Sequence, residues 1–251
     1  MKKLFPHILN RNKAILRKMG EIEHIFARAR AELMNPPVKF SIELRDKGNI
    51  GFRFVKGEGK IFIPKSMLLE EDFNEIFLWF SRHLLSHIHY CPYDMKTAFE
   101  LEKNAYKVCK DWNIAYLSLF FLSEMQIDFI YLPETFNEIP GHLYYRFRYK
   151  PIGFLELLYS AYLTVYQNNL PKYKVDSIIM DYGRQLAFII FKPRPWSIKI
   201  KIIASILSKI ESMMPRKMSR KKIKKYMQYF QIPVKEDATS SSINEMMETY
   251  G

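Results

Sequence analysis

Two histidines four residues apart, inside an apolar segment long enough for a helix, constrain this chain more than any other feature. His83 and His87 lie in the stretch SRHLLSHIHYCP, which belongs to a segment beginning near Glu70. At 3.6 residues per turn, side chains at i and i+4 lie on one face of a helix. Two imidazoles on one face can bind the same metal ion. The spacing therefore predicts a helix that presents two metal ligands.

A second pair of polar residues has the same spacing. Glu124 and Asp128 lie within the apolar run Trp112–Leu132. Unpaired polar groups are costly to bury, so polar pairs in apolar helices indicate that the side chains have partners. One interpretation is a shared metal site. The other is that the histidines are hydrogen-bonded helix residues near a surface and that Glu124 pairs with a nearby Lys or Arg.

The two pairs together resemble the gluzincin metallopeptidases, whose H-E-x-x-H helix is followed by a helix that supplies a glutamate ligand. The resemblance implies a zinc ion bound by His83, His87 and Glu124. It also implies that Asp128 hydrogen-bonds the non-ligating nitrogen of His83 and fixes its orientation.

The resemblance extends over residues 38–142. The chain also resembles a group of small archaeal and bacterial metallopeptidase-like proteins in which the second histidine precedes a Cys-Pro-Tyr-Asp segment. In this chain that segment is Cys91–Asp94.

The chain departs from the metallopeptidase motif at one position. It reads H-L-L-S-H, so Leu84 occupies the place of the general base. Leucine cannot exchange a proton, and general acid–base catalysis contributes roughly 10²–10⁴-fold. Glu134 or Glu138 are the remaining candidates for a base, and His142 is a candidate for stabilising an oxyanion. We therefore expect a catalytically degenerate metallopeptidase that binds a peptide or protein ligand without turnover.

Two nearby residues are weaker candidates for the metal site. His89 lies about 200° around the helix from His87, so a surface or capping role is expected for it. Cys91 is four residues after His87, but the following Pro92 disfavours helical geometry there. A buried structural thiol is the expected role of Cys91.

Composition excludes several classes of protein. Hydrophobic residues make up 48% of the 251, which predicts a folded globular chain. The nucleotide-binding motifs G-x-x-x-x-G-K-[ST] and G-x-G-x-x-G are absent from the sequence. Cys91 and Cys109 do not make a disulfide framework, and the N-terminus lacks a signal-peptide core. The apolar runs fall short of about 20 residues, so we expect a cytoplasmic protein without a membrane span.

The net charge of +13 supports an alternative function. A basic cluster lies late in the chain and falls on a predicted helix, Ser219–Phe230, whose apolar stripe leaves the charges in solvent. Such a cluster can bind phosphates without sequence preference, or it can be an ordinary solvated face. The alternative is therefore a nucleic-acid-binding or assembly protein that uses Arg216, Lys217, Arg220, Lys221, Lys222, Lys224 and Lys225.

Periodicity predicts an α+β fold: a small antiparallel β-meander, a predominantly helical zincin-like core and a helical C-terminal half. An N-terminal helix is expected over Pro6–Met34. The predicted strands are Val38–Leu44, Ile50–Val55 and Lys60–Ile63. The predicted helices that follow are Glu71–Tyr90, Asp94–Lys110, Trp112–Tyr131, Ile152–Asn169, Val175–Phe191 and Ile198–Met214. We assign residues 1–150 to a metal-site region, 151–233 to a helical region with the basic helix, and 234–251 to a mobile tail.

Overall fold

The computed structural model describes residues 5–36, 39–46, 48, 50–55 and 58–213. They form one small sheet and a long series of helices, which confirms the α+β fold class. The chain divides into two compact units, Met1–Leu85 and Ser86–Gly251, each described separately below. This division falls inside a helix and not near residue 150. The assignment of different roles to the regions before and after residue 150 remains a prediction.

The first unit combines an N-terminal helix, a sheet and most of the helix that carries the histidines. Its elements are α1 (Phe5–Glu32), β1 (Phe40–Arg45), β2 (Gly51–Val55), β3 (Glu58–Pro64) and α2 (Phe73–His89), whose last turn belongs to the second unit. The guanidinium of Arg82 in α2 donates two hydrogen bonds to Glu32 in α1, at 2.8 and 3.0 Å. This two-pronged ion pair fixes α2 against α1.

The sheet is not the antiparallel meander that the sequence predicted. Its strand order is β1-β3-β2, with β3 parallel to β1 and antiparallel to β2. β3 is central because its residues Ile61, Phe62 and Ile63 are buried on both faces of the sheet. By contrast, side chains along β1 alternate between half-buried and exposed, which suits an edge strand.

A glycine in β3 allows aromatic side chains of β1 and β2 to meet over it. The rings of Phe40 in β1 and Phe52 in β2 pack 5.6 Å apart. A Cβ atom on Gly59 in β3 would lie 2.5 Å from the Phe40 ring and 2.9 Å from the Phe52 ring. The two rings therefore meet over Gly59, and only glycine leaves room for this contact.

The second unit is entirely helical in its described residues. Its helices are α3 (Met95–Cys109), α4 (Trp112–Gln126), α5 (Leu132–Phe136), α6 (Leu143–Arg146), α7 (Phe154–Val165), α8 (Ser177–Phe191) and α9 (Trp196–Met213). The longer helices agree with the predicted segments. The difference is a π-helical turn, Ile127–Tyr131, which joins α4 to α5. The predicted helix Ser219–Phe230 and the tail 234–251 lie outside the described residues.

Caps and close packing position the long helices of this unit. Asp94 and Asp111 begin α3 and α4, and each accepts hydrogen bonds from backbone N–H groups of the first turn, the shortest at 2.7 Å. α7 and α8 approach closely at Gly183, where an added Cβ would lie 2.4 Å from the Cβ of Ser160. α4 and α7 are therefore held within one helical core, and both contribute to the site described next.

The continuous helical stretch Trp112–Phe136 is long and apolar enough to cross a membrane by length and composition alone. The sequence predicted a helix over Trp112–Tyr131, and the structure continues it to Phe136. However, 83% of its most apolar window is buried inside the protein, as in the core helix of a globular fold.

Candidate metal centre

α2 presents His83 and His87 on a buried face, with 7% and 2% of each residue exposed. Both ring nitrogens of His87 lie near polar atoms. Its Nδ1 atom lies 3.1 Å from the carbonyl oxygen of Cys91, and its Nε2 atom lies 3.1 Å from Oε1 of Glu124. The chain turns directly after α2, where the N–H of Cys91 donates to the Ser86 carbonyl, and this turn brings the Cys91 carbonyl back to the ring.

The two contacts of His87 determine what its Nε2 atom can bind. A backbone carbonyl only accepts hydrogen bonds, so Nδ1 carries a proton and donates it to Cys91. In the neutral ring Nε2 then holds a lone pair, and it faces a carboxylate oxygen that is also an acceptor. Two acceptors at 3.1 Å need either a cation beside both atoms or a proton on one of them. A metal ion and a proton are therefore the alternatives that this pair accommodates.

Glu124 and Asp128 come from the junction between α4 and the π-helical turn, and they are 5% and 0% exposed. A π-helix shifts backbone hydrogen bonding from i−4 to i−5, and such turns are frequent at functional sites. Here hydroxyl groups of α7 and the residue that follows it reach this backbone. The Tyr162 hydroxyl lies 3.2 Å from the Glu124 carbonyl oxygen, and the Tyr166 hydroxyl donates to the Asp128 carbonyl.

Tyr162 also holds the carboxylate of Asp128. Its hydroxyl donates to Oδ2 of Asp128 at 2.6 Å. Burial and the negative charge of Asp128 raise the pKa of Tyr162 well above its ordinary value, so the phenol stays protonated and remains a donor. Sequence reasoning did not identify this residue, because it lies 34 positions from Asp128 in another helix.

Arg146 is the second residue of the site that the sequence did not reveal. It ends the four-residue helix α6, and its Nη1 atom contacts Oε2 of Glu124 and lies 3.5 Å from Oδ2 of Asp128. Burial is the largest influence and lowers the pKa of Arg146, but the nearby charges of Glu124 and Asp128, the Tyr162 phenol and the hydrogen bond to Glu124 together outweigh it and raise the pKa. The guanidinium is therefore a permanent cation between two buried carboxylates.

Two sets of side chains bring ligand atoms within 4.8 Å of one another. One is the predicted set, His83, His87 and Glu124, and the other is His83, Asp128 and His142. All of these residues are buried, and they could hold a metal ion. Imidazole and carboxylate ligands bind zinc at about 2.0–2.2 Å in tetrahedral geometry, which separates donor atoms by about 3.4 Å. The His87 Nε2 and Glu124 Oε1 atoms, 3.1 Å apart, lie close to that separation.

The structure adds contacts to two other predicted site residues. Asp128 was expected to orient His83, and both residues belong to the second set of possible ligands. The hydrogen bond between them remains a prediction. His142, which precedes α6, is 5% exposed, and its Nε2 atom lies 3.4 Å from Oδ1 of Asp128. Its predicted role at an oxyanion is untested, and its position makes it a candidate ligand of the second set.

Leu84, which the resemblance aligns with the general base of metallopeptidases, is buried. Leu84 is 3% exposed and is followed by the fully buried Leu85. Glu134 and Glu138, the alternative bases, are exposed. Neither belongs to the two sets of candidate ligands among the described residues.

Among the described residues, His89 and Cys91 belong to neither of the two sets of possible metal ligands. The ring of His89 packs against Tyr131, with centroids 5.9 Å apart. Cys91 is fully buried, and burial raises the pKa of its thiol, which keeps the thiol protonated. The sequence interpretation of Cys91 as a buried thiol agrees with this. Its backbone carbonyl has the more specific role, because that group orients His87.

The basic cluster predicted to contact nucleic acid lies wholly outside the described residues. This applies to Arg216, Lys217, Arg220, Lys221, Lys222, Lys224 and Lys225.

Comparisons with protein-family models, curated proteins and solved structures give no match to this chain. The candidate site is therefore interpreted from its own geometry.

Proposed function

We propose that this chain is a zincin-like protein that binds one zinc ion through His83, His87 and Glu124. We further propose that it acts by binding a peptide or protein ligand and does not hydrolyse it. The proposal combines a buried set of imidazole and carboxylate ligands with the gluzincin-like spacing of both pairs.

The observation that carries the proposal is the pair of contacts made by His87. The Cys91 carbonyl takes the Nδ1 proton, so the Nε2 lone pair points at Glu124 from 3.1 Å. Metal-binding histidines commonly donate their other ring N–H to a backbone carbonyl in this way, which fixes the tautomer and orients the ring. Buried histidines are ordinarily hydrogen-bonded, so what favours a metal is this contact together with the buried His83 in the same set of possible ligands.

The absence of turnover follows from the residue beside the first histidine. A zinc ion held by three protein ligands lowers the pKa of a bound water to about 7. Hydrolysis also requires a group that takes the proton of this water and passes it to the leaving amine. Leu84 occupies the position next to His83 from which the family's glutamate does this, and it is buried. The chain can therefore hold a polarising centre without completing peptide hydrolysis.

Metal analysis of protein made without a histidine tag tests this proposal. We expect about one zinc per native chain, and less than about 0.1 in His87→Ala and in Glu124→Gln, because each variant removes a ligand. His89→Ala is the matched control. It removes a histidine two residues away that packs on Tyr131, so it should keep about one zinc.

Two results would overturn the proposal. The first is native protein that contains less than about 0.1 zinc per chain after incubation with zinc and removal of the excess. The second is equal zinc content in the native, His87→Ala and Glu124→Gln proteins, which would place the metal elsewhere.

A further inference from the structure

Arg146 already contributes a positive charge to the carboxylates that a metal would use. Its guanidinium contacts Glu124 and lies 3.5 Å from Asp128, and these two acids are 5% and 0% exposed. Buried carboxylates are stable as charges only when they are paired. Arginine cannot lose its proton under ordinary conditions, so this positive charge is permanent. The rings of Phe147 and Tyr162 lie 5.6 and 5.3 Å from the guanidinium and favour its position.

A count of formal charges shows what this arginine does to a metal ion. Glu124, Asp128 and Arg146 together carry a charge of −1, and adding a dication changes this to +1. Without the arginine, the two acids carry −2 and the same dication makes them neutral. Arg146 therefore stabilises the metal-free cluster and opposes the metal-bound one, because like charges repel strongly in a buried site.

We infer that Arg146 sets the metal affinity of this site by competing with the metal for Glu124, while also pairing with the neighbouring Asp128. This inference rests on the proposed function and assigns to it a residue outside the ligand set. In the metal-free protein Arg146 keeps both carboxylates paired, so the site needs no metal to remain folded. When a dication binds, Glu124 is shared and the arginine loses part of its pairing. The site is thereby tuned to weaker, reversible metal binding and not to permanent retention.

The test compares zinc binding by native protein, Arg146→Met and Arg148→Met, each stripped of metal and titrated against a zinc chelator of known affinity. Methionine keeps most of the length of the side chain and removes its charge. Arg148 is the matched control because it lies two residues further on and stacks over Tyr145 and Tyr149 at 5.2 and 5.0 Å. We expect zinc to bind Arg146→Met at least about tenfold more tightly than native protein, and Arg148→Met as native.

Thermal unfolding gives a second readout that does not depend on activity. The metal-free Arg146→Met protein should melt below the native protein, and saturating zinc should raise its midpoint by more than it raises the native midpoint. A variant that is unfolded without zinc and folds when zinc is added supports the inference. Should Arg146→Met fail to fold in either condition, Arg146→Gln, which keeps a hydrogen-bond donor, replaces it in the same comparison.

The outcomes separate this inference from the proposed function. Native protein that binds zinc with an affinity equal to or greater than that of both Arg146 variants overturns the inference and leaves the proposed function intact. Binding by the Arg146 variants alone supports the competition and overturns the proposed function of the native chain. Failure of all the proteins to bind zinc overturns both.

Discussion

The buried acid Glu102 in α3 should make the stability of this protein fall as pH rises. The residue is 2% exposed, and its Oε1 atom is buried without a hydrogen-bond partner among the described residues. Burial raises the pKa of Glu102 from its ordinary 4.5 to about 8. The folded state therefore binds the proton more tightly than the unfolded state. Stability is fully present below pH 4.5 and is lost progressively as pH rises towards 8.

The size of the effect follows from that displacement of the pKa. Each pKa unit by which Glu102 differs between the folded and unfolded states corresponds to about 1.36 kcal/mol of stability. The loss of stability due to Glu102 therefore has an upper limit of about 5 kcal/mol at high pH. Between pH 5 and pH 7.5 the expected loss attributable to Glu102 is about 3 kcal/mol. This is a large fraction of the stability of an ordinary domain.

The variant Glu102→Gln removes the titrating proton and keeps the shape of the side chain. Urea unfolding of both proteins from pH 5 to pH 7.5 should show that the variant gains about 3 kcal/mol relative to native protein over this interval. Glu100→Gln is the matched control, because Glu100 is an exposed acid two residues earlier in the same helix. Parallel stability curves for the native and Glu102→Gln proteins would refute the reasoning.

Three further predictions concern the site and the basic cluster. Leu84→Glu should lower the free energy of unfolding by several kcal/mol, because it buries a carboxylate. It should also add a trace of chelator-sensitive peptidase activity that the native protein and the control Leu84→Met lack. Robust peptidase activity in the native protein would contradict the proposal that the chain lacks a general base. Tyr162→Phe should lower the free energy of unfolding by about 1–3 kcal/mol, because the Asp128 carboxylate loses a buried donor, and an unchanged urea midpoint would refute this. Replacing the lysines within 221–225 by Glu should abolish salt-dependent nucleic-acid binding, and retained affinity would place that binding elsewhere.

The sequence predicted those parts of the protein that depend on periodicity. The helix with His83 and His87 was predictable because apolar residues recur around it with helical spacing, and i, i+4 geometry places both imidazoles on one face. The pair Glu124 and Asp128 followed from the same rule. The contact between His87 and Glu124 was predictable only through the family resemblance, because 37 residues separate the two positions.

Other parts of the site depend on tertiary placement that no local pattern encodes. Arg146 lies in a four-residue helix, too short to give a periodic signal, and it lies 22 positions beyond Glu124. The hydroxyl groups of Tyr162 and Tyr166, which contact backbone carbonyls at Glu124 and Asp128, come from a distant part of the chain.

One feature of the sequence does indicate the strand order. The uninterrupted apolar run Ile61–Ile63 is typical of a strand buried on both faces, and such a strand belongs in the centre of a sheet. The alternation of apolar and polar residues along the strands does not indicate which strands are neighbours in the sheet.

Anomalous diffraction at the zinc absorption edge, from crystals of the zinc-loaded native protein, tests the central claim most directly. The account predicts one strong peak at about 2.0–2.2 Å from Nε2 of His87 and from a carboxylate oxygen of Glu124, with His83 as the third protein ligand. The Nδ1 atom of His87 should remain within hydrogen-bond distance of the Cys91 carbonyl. A peak bound by other residues, or no peak beside His87 while zinc is present in excess, would contradict the account.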